Sequence, residues 1–267
     1  MELESYIRSK RQEKGILLMT HVVLGYPSFS ECLKIIEAMV KAGVDLMELQ
    51  IPFSEPIADG PTILKANQVA LENGVSIRAC LEFAGEITDR FNIPFLVMTY
   101  FNIVFKYGIN RFVKEMARVG LKGAIIADLP PEEAQDYLVA MESEGLAPIF
   151  IFSPTTPFDR MRYIGSIGKG FVYCVARKGV TGTKTEFSED LHNYLGRCRR
   201  STSLPLAVGF GVKDSTDIAF LKGKADIAVI GSQLIRIFEE KGIKQMGDFF
   251  RRLIGYSDGR FGRKTHR

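Results

Sequence analysis

The chain has 267 residues, of which 46% are hydrophobic and 25% charged, and its net charge is +4. That composition suits a globular protein able to bury a large core, and the basic excess is too small and too scattered to point to nucleic acid. No apolar run is long enough to span a bilayer and no signal-peptide pattern is present, so a membrane is excluded as a partner and a cytoplasmic protein is expected.

Residues 2–14 read as a charged amphipathic helix. Short apolar runs then alternate with helical patterns. The expected strands cover residues 17–24, 46–51, 95–100, 124–128, 148–152, 171–175, 206–210 and 226–230. The first helix after a strand places Phe29, Leu33, Ile36 and Val40 on one face, and Ser28 with Glu31 supplies a capping box at its start. Residues 76–91 read as an extra helix before the third strand. Eight βα units favour a single (β/α)8 barrel over residues 1–267, with extra helices at the N-terminus and before the third strand. The rival is a doubly wound open sheet. It usually carries a Gly-rich turn after its first strand, and here that turn is Leu24-Gly25-Tyr26-Pro27. Cys32, Cys80, Cys174 and Cys198 form no CxxC pair, and His21, His192 and His266 form no HExxH. Reduced thiols and no metal are expected. The basic tail, residues 260–267, reads as a frayed terminus.

Chemistry in such a barrel belongs at the C-terminal ends of the strands. Strand alternation turns Met47 and Leu49 of the second strand toward the helices, and Leu46, Glu48 and Gln50 toward the interior. A carboxylate enclosed by apolar side chains is costly unless paired or protonated, and a carboxyl that keeps its proton near neutral pH is a useful acid–base catalyst. The alternative for Glu48 is an internal ion pair with Lys or Arg. In the following loop, residues 52–61, Asp59 and Glu55 are candidates for the site, and the residues alone favour Asp59 as a helix cap. Glycines at Gly182 after the sixth strand, at Gly209 and Gly211 after the seventh, and at Gly231 with Ser232 after the eighth suggest a phosphate cradle. Residues 177–186 read as a mobile lid over it.

Taken together, Gly25-Tyr26-Pro27, Glu48 with PFSEPIADGPTI (52–63), Met98-Thr99-Tyr100-Phe101-Asn102, Ala127-Asp128-Leu129-Pro130, Arg177-Lys178-Gly179-Val180-Thr181-Gly182, Gly209-Phe210-Gly211 and Gly231-Ser232 resemble the tryptophan synthase alpha chain family over essentially the whole chain. The resemblance implies a carbon–carbon lyase of tryptophan biosynthesis. It would cleave indole-3-glycerol phosphate to indole and glyceraldehyde 3-phosphate with no cofactor of its own. Its implied partner is a beta chain carrying pyridoxal phosphate, in a tetramer of two alpha and two beta chains. It implies Glu48 as the acid–base residue, Asp59 as the carboxylate that holds the indole N–H, and Tyr173 as a ring beside Glu48. Phe210 would pack on the indole, and Gly182, Gly211, Gly231 and Ser232 would meet the phosphate. Thr181 would reach toward Asp59 when the lid closes. Three positions depart from the family pattern. Glu55 stands where Asp is more frequent, His21 where a pocket aromatic is common, and Met98 where Leu is common. A stand-alone lyase on the same substrate, another barrel enzyme and a silent partner-activating subunit are the competing readings.

Overall fold

A computed structural model describes residues 2–175, 189–209 and 211–257. The strands are β1 (Leu17–Val23), β2 (Leu46–Gln50), β3 (Phe95–Thr99), β4 (Gly123–Ile126), β5 (Ala147–Ile149), β6 (Ile151–Phe152), β7 (Val172–Val175), β8 (Leu206–Gly209) and β9 (Ile227–Ile230). The helices are α1 (Leu3–Glu13), α2 (Phe29–Ala42), α3 (Pro61–Glu72), α4 (Ile77–Arg90), α5 (Phe101–Tyr107), α6 (Ile109–Arg118), α7 (Gln135–Ser143), α8 (Phe158–Ile167), α9 (Glu189–Ser201), α10 (Ser215–Leu221) and α11 (Ser232–Ser257). α11 breaks at Gly242, where φ is 81° and ψ 177°, so it is two helices end to end.

The strand order is β5-β4-β3-β2-β1-β9-β8-β7-β6, with parallel pairing throughout. Its two ends are one stave. The fifth expected strand is parted at Phe150 into β5, which pairs with β4, and β6, which pairs with β7. Stagger between staves explains the break: closing a barrel shifts the register, so one half of a stave meets one neighbour and the other half the next. The Phe150 carbonyl accepts from the Tyr173 N–H at 2.9 Å and carries the join. The chain is therefore a (β/α)8 barrel, with α1 and α4 as the two expected extra helices.

Alternation sorts the core into two shells. Met47, Leu49 and Ile51 pack outward among the helices, while Leu46, Leu96, Met98 and Ile125 pack inside the barrel. Leu3 and Ile7 of α1 join the inner shell and close the N-terminal floor. α1 is stitched down by polar bonds. The Tyr6 hydroxyl donates to the Asp45 carbonyl at 2.8 Å, and Lys14 Nζ donates to the Asp45 carboxylate at 2.6 Å. The same carboxylate accepts from the Leu18 N–H at 2.9 Å. Asp226 is its counterpart before β9, accepting from Arg11, Arg199 and the Leu206 N–H.

Two local expectations change. α2 buries Cys32, Ile35, Ile36, Met39 and Ala42, whereas Phe29, Leu33 and Val40 are only partly buried on the flank. The buried stripe is rotated from the expected one, and Ile36 is common to both. Ser28 does cap α2 through the Glu31 N–H at 3.2 Å, but the Glu31 carboxylate pairs with Lys34. Among the described residues no helix is long and apolar enough to cross a membrane, and no group of His, Cys, Asp and Glu is placed to hold a metal.

Candidate active site

Glu48 sits at the middle of β2 on the inward phase and is 1% exposed. Its register partner on β1 is His21, also inward, and the two side chains meet with His21 Nδ1 2.8 Å from Glu48 Oε1. The buried carboxyl is thus neither unpaired nor bound to Lys or Arg; its partner is an imidazole. From across the interior Tyr173 on β7 donates its hydroxyl to the same Oε1 at 3.4 Å. Gly209 makes that approach possible, since a Cβ there would lie 2.5 Å from the Tyr173 ring. Glu48 Oε2 is buried and has no protein partner.

Asp59 is not a cap. The N-cap of α3 is Gly60, which has no side chain to cap with, and Asp59 turns back into the barrel mouth. Its Oδ2 accepts from Gln50 Nε2 at 2.6 Å and from Asn67 Nδ2 at 3.4 Å. Asn67 also ties the loop through the Phe53 N–H at 3.1 Å. The phase of β2 already placed Gln50 inside. Asn67 was missed, because nothing in the local pattern of α3 marks it as a loop anchor. Tyr100, just after β3, supports the loop by stacking on Phe53 and accepting from the Ala58 N–H at 3.2 Å.

The charges are mutually adjusted. Burial favours the neutral form of Asp59 and raises its pKa, against the Gln50 bond and the His21 charge, which lower it. Burial and the charge of Glu48 drive the Tyr173 phenol far above its ordinary range, so it remains a donor. For His21, burial opposes the imidazolium, but the bond to Glu48 and the charges of Glu48 and Asp59 outweigh it, and the pKa rises.

Met98 lies inward on β3 as the register partner of Gln50. The C-terminal ends of β8 and β9 lie side by side, since Gly209 pairs with Val229. Gly211 has φ +61°, the left-handed region that favours glycine. Gly231 packs on His21, where an added Cβ would lie 3.3 Å from the His21 Cβ. The two turns differ in the helix that follows. α10 starts on a capping box of Asp214 and Asp217, and its first N–H groups are already bonded to carboxylates. α11 starts at Ser232 with no acidic residue in its first turn. Only the second helix offers an open positive end to an anion. Thr181, Gly182 and Phe210, together with the expected lid, lie outside the described residues.

Such a site can supply a carboxyl with one free oxygen, a second carboxylate fixed by amides, and an anion-friendly helix end. A sequence profile of the tryptophan synthase alpha chain family matches residues 7–253. The tryptophan synthase alpha chain of Desulforapulum autotrophicum is 61% identical, covering 94% of this chain and 99% of that one. Its counterpart in Syntrophotalea carbinolica is 58% identical with the same coverage, 94% and 99%. A solved structure of Mycobacterium tuberculosis tryptophan synthase superposes with a TM-score of 0.89 at 31% identity, covering 96% of this chain and 98% of that one. A chain from the tryptophan synthase a2b2 complex of Pyrococcus furiosus gives 0.85 at 31% identity, covering 91% and 99%.

Proposed function

Since the chain belongs to the tryptophan synthase alpha chain family and is a lyase of tryptophan biosynthesis, we propose that it cleaves indole-3-glycerol phosphate by a retro-aldol reaction, with Glu48 as acid–base residue and Asp59 as the carboxylate that holds the indole N–H. One observation carries this reading: two carboxyl groups from a single strand–loop unit are held in opposite ways. Glu48 Oε2 is left without a protein partner, whereas Asp59 Oδ2 is gripped by two amides. The first suits a group that must give and take a proton, the second a group that must stay in place.

The reaction needs both. Glu48 gives a proton to the indole C3, and Asp59 stabilises the positive charge that this leaves at the ring nitrogen. The bond between C3 and the glycerol carbon then breaks and its electron pair returns to the ring. The hydroxyl proton passes back to Glu48 as that carbon becomes the aldehyde of glyceraldehyde 3-phosphate. One proton is lent and returned, and the chain needs no cofactor of its own. Tyr173 steadies Glu48, and Met98 and His21 line the indole side. Gly211, Gly231 and Ser232 take the phosphate. The resemblance adds Gly182 to that set, Phe210 against the indole and Thr181 on the lid.

The partner is a beta chain with pyridoxal phosphate, docked over the barrel mouth in a tetramer of two alpha and two beta chains. The Asp59 loop supports this placement: Pro56 is buried, while Ile57 stands 79% exposed beside it. The test is indole release from indole-3-glycerol phosphate during titration with beta chain. The expected result is at least tenfold activation, a coupling of about 1.4 kcal/mol, with a Pro56 variant losing more activation than basal turnover. A free chain already at full rate and indifferent to the beta chain supports a stand-alone lyase instead.

A further inference from the structure

His21 stands where the family pattern commonly has a pocket aromatic, and its ring does more than fill space. It is the register partner of Glu48, 6% exposed, with Nδ1 2.8 Å from Oε1. Its other nitrogen, Nε2, is buried without a protein partner, as is Glu48 Oε2. Two titratable side chains in hydrogen-bond contact inside an apolar barrel titrate as a unit. We propose that His21 is a positioning residue for Glu48: it clamps one carboxyl oxygen and keeps a proton stored in the pair, so that the other oxygen can exchange it with the substrate. The proposal rests on the lyase reading given above.

The chemistry explains why a store is useful. Cleavage begins with a proton given to carbon, and an ordinary glutamate has lost its proton by neutral pH. A pair that includes an imidazole keeps one proton to higher pH. When that proton sits on the carboxyl, it is the acid that C3 requires. After its transfer the pair is a neutral imidazole and a carboxylate, and the carboxylate takes up the hydroxyl proton, so the pair ends the cycle as it began. The surroundings favour the loaded pair. Burial alone would strip the imidazolium, yet the bond to Glu48 and the charges of Glu48 and Asp59 reverse this. Among the described residues, the groups that face His21 are Glu48 and Gln50 on β2, Asp59 on the loop, and Tyr173 on β7 through its bond to Glu48. Behind it, between α2 and α11, lies a recess lined by Val23, Tyr26, Met39, Leu234 and Phe238, in which Tyr26 is the one other titratable side chain. Tyr26 is already bonded to Glu239. Just after β9, Gly231 brings its backbone against the His21 Cβ.

The experiment is the pH profile of indole release from indole-3-glycerol phosphate, in the presence of beta chain, for wild type, His21→Phe and His21→Asn. The acid form must be loaded, so wild-type activity falls as pH rises through the pair's upper titration. His21→Phe is expected to lower kcat at neutral pH at least tenfold, with KM changed less than threefold, and to move the alkaline limb toward acid by a pH unit or more. His21→Asn can still donate to Oε1; it is expected to recover part of the rate while keeping the shifted limb, and it carries the same limb prediction if the Phe variant does not fold. An imidazole NMR titration gives a readout that needs no turnover: His21 is expected above the ordinary histidine range in wild type and below it in Glu48→Gln. A His21→Phe or His21→Asn enzyme with an unmoved alkaline limb overturns the proposal, whatever its rate, as does a His21 titration indifferent to Glu48→Gln. Wild type that releases no indole, with or without beta chain, overturns the lyase reading itself and the proposal with it.

Discussion

The floor of the barrel and its mouth are built from the same strands and treat polar groups in opposite ways. At the floor, Asp45 and Asp226 each take a lysine or arginine and a backbone N–H of the adjoining strand, and Leu3 and Ile7 seal the opening. At the mouth, His21 Nε2, Glu48 Oε2 and Gln50 Oε1 are buried and unpartnered. The remaining buried unpartnered oxygens, on Thr20 and Thr99, share the outward phase of Met47 and Ile126 and face away from the site. A buried polar atom without a partner costs about 1–3 kcal/mol. At the mouth a substrate can supply the missing partners; at the floor, where nothing is bound, both carboxylates are paired.

Substitutions at the two ends should therefore separate rate from stability. The largest effect belongs to the mouth: Glu48→Gln keeps the bond to His21 and is expected to cut indole release by about 100-fold or more, with the unfolding midpoint hardly moved. Retention of over half the activity would refute the assignment of Glu48. Next comes the floor. Ile7→Ala opens a cavity in a fully buried position and should cost roughly 2–5 kcal/mol in denaturant unfolding, while kcat stays within about twofold of wild type; a large loss of kcat in folded protein would show that the ends are coupled.

Asp226→Asn should cost less, about 1–3 kcal/mol. Burial raises the pKa of Asp226, but Arg199 and the Leu206 N–H more than compensate and hold it below the ordinary carboxylate range. A depressed folded pKa means that the stabilisation is present above the unfolded value of about 3.9 and is lost as pH falls through the folded one. Thermal melts from pH 7 to pH 2 should show wild type losing its advantage over the variant below about pH 4; a gap that does not change with pH would remove the charge from the explanation. The smallest effect belongs to the outer wall. Arg78→Ala breaks an exposed pair with Glu82 on α4, and neither the melting temperature nor turnover should change measurably.

Much of this division was legible in the residues. The period of two across 46–50 turned Glu48 and Gln50 inward, the extra helix read over 76–91 is α4, and Gly209 and Gly231 fell at stave ends. What was not legible depends on closure and on distant neighbours. Phe150 parts a stave because two different strands flank its halves, which no local pattern encodes. Asp59 read as a cap because Thr62 and Ile63 follow it. Two amides draw it inward, and the second of them, Asn67, lies eight positions along the chain. The contact between His21 and Glu48 spans 27 residues and requires the register of β1 on β2. Gly209 and Gly211 suggested a phosphate cradle before α10, but the first turn of that helix is filled by its own carboxylates.

The sealed floor also sets a timetable. α1 leaves the ribosome before any of the staves, and its bonds to Asp45 become available as soon as β2 exists. Arg11, however, reaches Asp226 across 215 residues of sequence, a wait of roughly 10–40 s at about 5–20 residues per second. Until the last stave arrives, Leu3 and Ile7 have only part of the inner shell to rest on. A helix synthesised ahead of every stave is thus among the last elements to be fully docked, and its apolar face is the surface that the nascent chain must keep from other molecules in the meantime.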